Sequence, residues 1–291
     1  MRIPLTVLVF LGAAVAACSS NGDKDTSATL TDGTDPVALV DDAANFAQNL
    51  EKAKAGDAGA RHNAAVAYLR GDGVEQAEIE AVTWFQLAAG QGNPDSQYSL
   101  GVLFEQGRGV KKDPAAAAGW YLAAAEQGHA DAQINLGSLY LNENGITRDD
   151  ERAAYWYGRA AAQGVADAQF LLGGMYGAGL GIERDPAAAL EWFRHAAGRG
   201  HKAAALNLSL VALGNRNEEA GEETGSEAAL KWYRVATGLD VATACYRIGK
   251  MFEQGKMVKP DPAQAVEWYR RALKQGHEEV EKDLDKLDAD N

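Results

Sequence analysis

The chain has 291 residues, 46% of them hydrophobic, and a formal net charge of −13 at pH 7. Such a composition is ordinary for a folded protein. The acidic excess repels phosphate backbones and anionic lipid headgroups, and no basic cluster reverses it, which excludes nucleic-acid binding as a function class.

Residues 1–17 open with a single positive charge at Arg2, followed by an apolar run from Ile3 to Val15 and then small residues. The run is too short to span a bilayer and has the anatomy of an export signal. Its end, Val15-Ala16-Ala17-Cys18, resembles a bacterial lipobox. The resemblance implies cleavage before Cys18 and lipidation of that cysteine, so that several acyl chains form a stable anchor. Ser19 after the cysteine implies sorting to the outer membrane of a Gram-negative bacterium, facing the periplasm. The membrane is then engaged through the lipid alone. Residues 18–40 are rich in Ser, Thr, Asp and Gly and are predicted to be the lipidated cysteine and its flexible tether. With Cys18 lipidated, only Cys245 remains, so no internal disulfide forms and stability rests on packing.

Residues 41–56 are expected to form an N-terminal capping helix, with Phe46, Leu50 and Ala53 on its apolar face and Gly56 at its end. Beyond it, residues 57–277 form an array. All six tryptophans, Trp84, Trp120, Trp156, Trp192, Trp232 and Trp268, are separated by steps of 36, 36, 36, 40 and 36 residues. Eight residues after each stands Gly92, Gly128, Gly164, Gly200 and Gly276, with Asp240 as the exception. A period of this length means stacked supersecondary units. Each unit reads as two helices. Asp113-Pro114, Asp185-Pro186 and Asp261-Pro262 start the second helix, with Asp as N-cap and Pro in the first turn. Gly71-Asp72-Gly73 and its counterparts at Gly107 and Gly179 form the tight link between the two helices. Residues 278–291 keep Val280, Leu284 and Leu287 on one face and are otherwise charged, as a polar C-terminal cap requires.

These motifs in phase resemble the Sel-one-like repeat family, a branch of the tetratricopeptide-like superfamily. The resemblance implies an all-α fold: an α/α solenoid of six tandem repeats between capping helices, used to hold proteins together. The fifth copy departs from the pattern, with Ser209 and Ala212 at motif positions, no glycine turn and four extra residues.

At about 100° per residue, Ala132, Leu136, Leu139 and Tyr140 share the buried side of the third copy's first helix. The opposite side carries Ile134, Ser138, Leu141 and Asn142. The phase of Ile134 is occupied in successive copies by His62, Tyr98, Ile134, Phe170, Leu206 and Tyr246. Large apolar side chains on this side are not demanded by the helix pairing. In tetratricopeptide-like solenoids the same phase lines the concave groove, so the ladder is expected to bind a protein partner. Leu141, Leu210 and Leu213 widen the stripe, and Asp95, Asp131 and Asp167 edge it with negative charge. The alternative is that tight curvature buries these side chains against the next repeat.

No cofactor or metal is expected. His129, His201 and His277 share one phase after the turn glycine, too far apart to converge on one ion, and read as turn residues. The glycines around Gly177 lack the preceding strand of a phosphate loop. The acidic stretch Glu218–Glu227 reads as a solvated loop. Cys245 has no base beside it in sequence, so hydrolase is the remote alternative and a non-enzymatic interaction module the leading reading. Among relatives with such export signals, the resemblance implies two roles. One is an immunity protein neutralising a phospholipase effector of type VI secretion. The other is a scaffold or assembly factor for a cell-envelope or polysaccharide-export complex. The partner is accordingly a secreted effector or an envelope-complex subunit.

Overall fold

A computed structural model describes residues 36–142, 146–214, 234–236, 241–255 and 258–289, with side chains placed from residue 43 to 208 in the first two segments and to residue 287 in the last. The export signal, Cys18 and the acidic loop Glu218–Glu227 lie outside the described residues. The chain divides into two compact units. The N-terminal unit runs to Gln163 and includes the turn Leu180–Ile182; the C-terminal unit comprises Gly164–Gly179 and the chain from Glu183 onward.

The N-terminal unit contains α1 (Pro36–Lys54), α2 (Ala58–Arg70), α3 (Glu78–Ala89), α4 (Pro94–Gln106), α5 (Pro114–Glu126), α6 (Ala130–Leu141) and α7 (Asp150–Ala162). The C-terminal unit contains α8 (Ala166–Ala178), α9 (Pro186–Gly198), α10 (Lys202–Gly214), α11 (Ala242–Gln254), α12 (Pro262–Lys274), a 3-10 turn (Glu278–Val280) and α13 (Glu281–Ala289). Among the described residues there is no strand, and no helix is long and apolar enough to cross a membrane. The fold is an all-α array of helix pairs.

The helix starts follow from their caps. Asp113, Asp185 and Asp261 accept hydrogen bonds from the amides of Ala116, Ala187 with Ala188, and Gln264, each followed by Pro in the first turn. Asp57, Asn93 and Asp149 do the same for α2, α4 and α7. Each such acceptor satisfies one amide that the helix geometry leaves orphaned, worth about 1 kcal/mol. The link from α4 to α5 shows why glycine is needed. Gly109 has φ +66°, and a Cβ there would come within 2.5 Å of the Glu78 carbonyl oxygen. Only a residue without Cβ fits both the dihedral and the space.

Among the described residues the aromatic after each tryptophan fills the core. Phe85, Tyr121, Tyr157, Phe193 and Tyr269 are buried; Trp84, Trp120, Trp192 and Trp268 are half-buried, and Trp156 is buried beside Tyr157. A glycine in the middle of the preceding helix makes room: a Cβ on Gly101 would sit inside the Tyr121 ring, and one on Gly249 inside the Tyr269 ring. Each buried phenol finds a partner. Tyr121 donates to Glu105 at 2.7 Å, Tyr269 donates to Glu253 at 2.6 Å, and Tyr157 lies 2.9 Å from the Ser138 hydroxyl. Without them, burial of the hydroxyl would cost about 1–3 kcal/mol. Leu100 packs in one cluster with Phe85, Leu136 and Leu139 with Tyr121, and Ile248 with Phe193, and Leu172 is likewise buried. The expected core stripe of α6 is therefore observed, with Tyr140 half-buried at its edge.

A second tie links the two helices of a repeat to the next. Gln127 donates to the Gln97 side chain at 2.7 Å and Gln163 to Gln133 at 2.8 Å, while Gln133 donates to the Ala125 carbonyl. Cys245 occupies the same phase in α11, fully buried, with its Sγ 3.4 Å from the Gln275 amide oxygen.

Both ends are closed by helices. α1 starts at Pro36, inside the stretch assigned to the tether, because proline suits a first helical turn. Phe46 meets Tyr68 edge-on, and Ala53 and Leu50 pack against Ala60 and Ala64. At the other end Val280 is buried, and Leu284 and Leu287 pack with it against the Cys245–Tyr269 group. Asp283 sits beneath them at 3.0 Å from Lys250 and accepts from the Tyr246 hydroxyl at 3.1 Å. Burial raises the Asp283 pKa, but the bond and charge of Lys250 outweigh it and hold the carboxyl below its usual range.

Candidate partner-binding face

In the N-terminal unit, α4 presents Asp95, exposed, and Tyr98 one turn later, half-buried. The Tyr98 ring is stacked on His129, with centroids 4.6 Å apart and planes at 19°, and tilts against Tyr121 at 5.9 Å. Its hydroxyl is hydrogen-bonded by Asn135, while burial and then the Asp131 charge raise its pKa. His129 follows Gly128 and starts α6: its Nδ1 accepts the amide of Ala132 at 3.2 Å. Because Nδ1 is an acceptor, the ring proton is on Nε2, which lies 3.4 Å from the Asp95 carboxylate. Carboxylate, imidazole and phenol thus form one tile that ties the first helix of a repeat to the turn that closes it. On α6, Ile134 is half-buried, Asp131 is exposed and Leu141 is buried.

The C-terminal unit repeats the tile. Phe170 on α8 is buried, stacked on His201 at 4.3 Å and 23° and tilted against Phe193 at 5.5 Å. His201 Nδ1 accepts the amide of Ala204 at 3.1 Å, and Nε2 lies 3.6 Å from Asp167, which is exposed. Burial holds the His201 imidazole below the ordinary histidine range, offset in part by Asp167. Leu206 is half-buried against the cluster of Phe193 and Ile248. Tyr246 is half-buried, stacked on His277 at 4.7 Å, and has Lys250 5.8 Å from its ring centre. Leu210 and Leu213 belong to α10, but their side chains lie outside the described residues.

The ladder is therefore not a row of side chains left over by packing. The expectation that packing does not ask for them is corrected for the aromatic members: each is covered by a histidine, and Phe170 and Leu141 are buried. The large apolar side chains that stand free among the described residues are Ile79 (68% exposed), Tyr155 (54%) and Leu87 (43%), all on second helices. The first copy carries His62 at the ladder position. Its Nδ1 lies 2.9 Å from the Ser96 hydroxyl, and burial lowers its pKa.

The histidine lids were read from sequence as turn residues only. A signal for them was present. Tyr98, Phe170 and Tyr246 are each followed 31 residues later by His129, His201 and His277, whereas Ile134 is followed at the same distance by Val165. The aromatic ladder residues go with an imidazole, and the aliphatic Ile134 goes with valine. Among the described residues no group of three or more His, Cys, Asp or Glu converges as a metal site.

An array of helix pairs with a glycine link, an Asp-Pro start and a recurring core aromatic defines a tetratricopeptide-like repeat solenoid. The Sel1 repeat matches residues 58–93, 94–129, 130–165, 166–201 and 242–277, and the chain belongs to the Sel1 repeat family, whose repeats serve as protein-interaction scaffolds. The irregular copy between residues 201 and 242 falls outside those matches. Two solved structures are similar. A protective antigen present in uropathogenic Escherichia coli strains, with an SLR fold, is 30% identical with a TM-score of 0.73, covering 83% of this chain and 51% of that one. A Sel1 repeat protein from Oxalobacter formigenes is 28% identical with a TM-score of 0.62, covering 80% and 99%. Chitin synthase regulatory factor 3 of Schizosaccharomyces pombe is 44% identical over 59 residues, which are 20% of this chain and 6% of that protein. The chain thus spans about half of the first of these structures and a small part of the curated relative.

Proposed function

We propose that the chain is a periplasm-facing outer-membrane lipoprotein, anchored through Cys18, that captures a basic secreted effector on its ladder face and neutralises it. The observation that carries this reading is the charge of three consecutive first helices. α4, α6 and α8 carry Asp95, Glu105, Asp131 and Asp167 and not one Lys or Arg. Asp95, Asp131 and Asp167 are exposed beside the half-buried Tyr98 and Ile134 and the tile of Phe170. Carboxylates of one sign beside partly apolar surface steer and hold a cationic protein, and charge complementarity acts most on encounter rate and specificity. Tyr98 and Ile134 supply the apolar contact in the N-terminal unit, and Leu206 and Tyr246 supply it in the C-terminal unit.

The test is capture by the mature protein from envelope extracts, with the bound protein identified and then purified for titration. A basic effector whose toxicity in the periplasm is relieved by the parent chain, and not by the double reversal Asp95→Lys with Asp131→Lys, supports the proposal. Recovery of an export or envelope subunit instead, bound equally well by the reversed variant, overturns it in favour of the scaffold role. For the anchor, Cys18→Ser is expected to abolish partitioning into detergent; unchanged partitioning removes the lipoprotein part.

A further inference from the structure

Each ladder aromatic is covered by an imidazole from the turn that follows its helix pair, and at His201 that ring does three things at once. Nδ1 accepts the Ala204 amide at 3.1 Å, which caps α10; Nε2 faces Asp167 at 3.6 Å; and the flat face covers Phe170 at 4.3 Å. The cap requires an unprotonated Nδ1, because an imidazolium has two N–H donors and no acceptor. A proton on Nδ1 therefore meets the Ala204 N–H head-on, and the ring must turn to relieve the conflict. Turning it uncaps the first turn of α10 and uncovers Phe170 together.

We infer that His201 is an acid-released latch: protonation of its Nδ1 frees the start of α10 and opens the buried Phe170 tile in the C-terminal unit. The groups around the ring agree with this. From α8 the facing charge is Asp167, whose side chain is 68% exposed and so holds the imidazolium only weakly. From the turn before α10, Arg199 is directed onto the Gly164 carbonyl at 2.9 Å, and Lys202 is exposed. From α9, Phe193 packs against Phe170, and His195 is exposed against Trp192. Among the described residues, no buried anion stands ready to receive the charged ring.

The direction follows from linkage. Burial depresses the folded His201 pKa below the ordinary value of about 6.5, so the opened form takes up its proton first. The closed tile is fully stabilised above that range and loses stability as pH falls through it. The latch stands whether or not this face takes a partner, and only its consequence for capture, release on acidification, rests on the proposed function.

The built-in control is Asn93, which caps α4 through the Ser96 amide at 2.8 Å and does not titrate. His201→Asn in the full mature chain keeps an acceptor at the helix start and removes the proton switch. Between pH 7 and pH 5 the parent is expected to lose about 2–4 °C more in Tm than His201→Asn. Amide exchange over residues 202–208, corrected for intrinsic rates, is expected to rise about fivefold in the parent alone. Equal Tm loss and equal exchange in the two proteins overturn the latch. If His201→Asn folds poorly, the parent alone decides by NMR. The Ala204 amide is expected to shift with the same midpoint as the His201 ring, and a ring that titrates while this amide stays put overturns it. No partner is present in these assays, so their failure leaves the capture reading untouched.

Discussion

The ladder position is built differently in the two units. In the N-terminal unit it holds Tyr98 and Ile134, both half-buried; in the C-terminal unit it begins with Phe170, which is buried. The stacked imidazole is the same in both places, and so is the carboxylate beyond it. What differs is the tip of the ring. Tyr98 carries a hydroxyl that meets Asn135, and Tyr246 one that donates to Asp283, so neither is fully enclosed. Phe170 has no polar tip to satisfy and is closed over. The lesson is that one sequence phase serves as core at Phe170 and as partly exposed surface at Tyr98 and Tyr246, whose polar tips need a partner.

The sharpest way to break that comparison is truncation. Phe170→Ala should cost about 3–5 kcal/mol, on the scale of Leu136→Ala at about 2–5 kcal/mol, read by thermal denaturation. A Phe170→Ala protein melting with the parent would mean that the ring is not enclosed. Tyr98→Ala and Ile134→Ala should be milder, at about 1–2 kcal/mol each, because only part of their surface leaves water on folding. Their larger effect belongs in partner affinity, where an aromatic anchor can account for about 2 kcal/mol. Equal losses of stability at Tyr98 and Phe170 would erase the difference between the units.

The lids give finer tests. His129→Ala removes the acceptor for Ala132 and the cover of Tyr98 and should cost about 1 kcal/mol, whereas His129→Asn should restore most of it. If alanine and asparagine behave alike in chemical denaturation, the cap contributes nothing. Smallest of all is Asp95→Asn, which removes one arm of an exposed pair and should change stability by about 0–1 kcal/mol. A larger loss at Asp95 would show that the tile is held by charge more than by stacking.

Much of this fold could be read in the sequence, because six copies repeat their signals in phase. The Asp-Pro starts, the glycine links, the Leu136 stripe and the two end helices each rest on local chemistry that repetition makes unmistakable. The ladder aromatics, expected to stand apart from the packing, and the histidines, expected as turn residues only, differ from the sequence reading for one reason. Periodicity marks a side of a helix but does not say what a distant turn lays over it. It also treats each helix alone, so a contact made 31 residues away, between Tyr98 and His129, leaves no mark within either helix. Comparing copies by substitution, aromatic with histidine and aliphatic with valine, would have found it. For α10 the sequence had already signalled irregularity, through Ser209, Ala212 and the four extra residues.

The glutamine ties have a mechanical consequence. Gln97 with Gln127, Gln133 with Gln163 and Cys245 with Gln275 each close a span of 30 residues inside the period. Pulled from its ends, such a chain cannot pay out a helix at a time without first rupturing a tie that fastens a whole period. Rupture should therefore come in steps, each releasing the 30 residues that a tie closes, or about 100 Å of extended chain. At the Cys245 tie a thiol replaces the amide, and of these three ties it should yield at the lowest force.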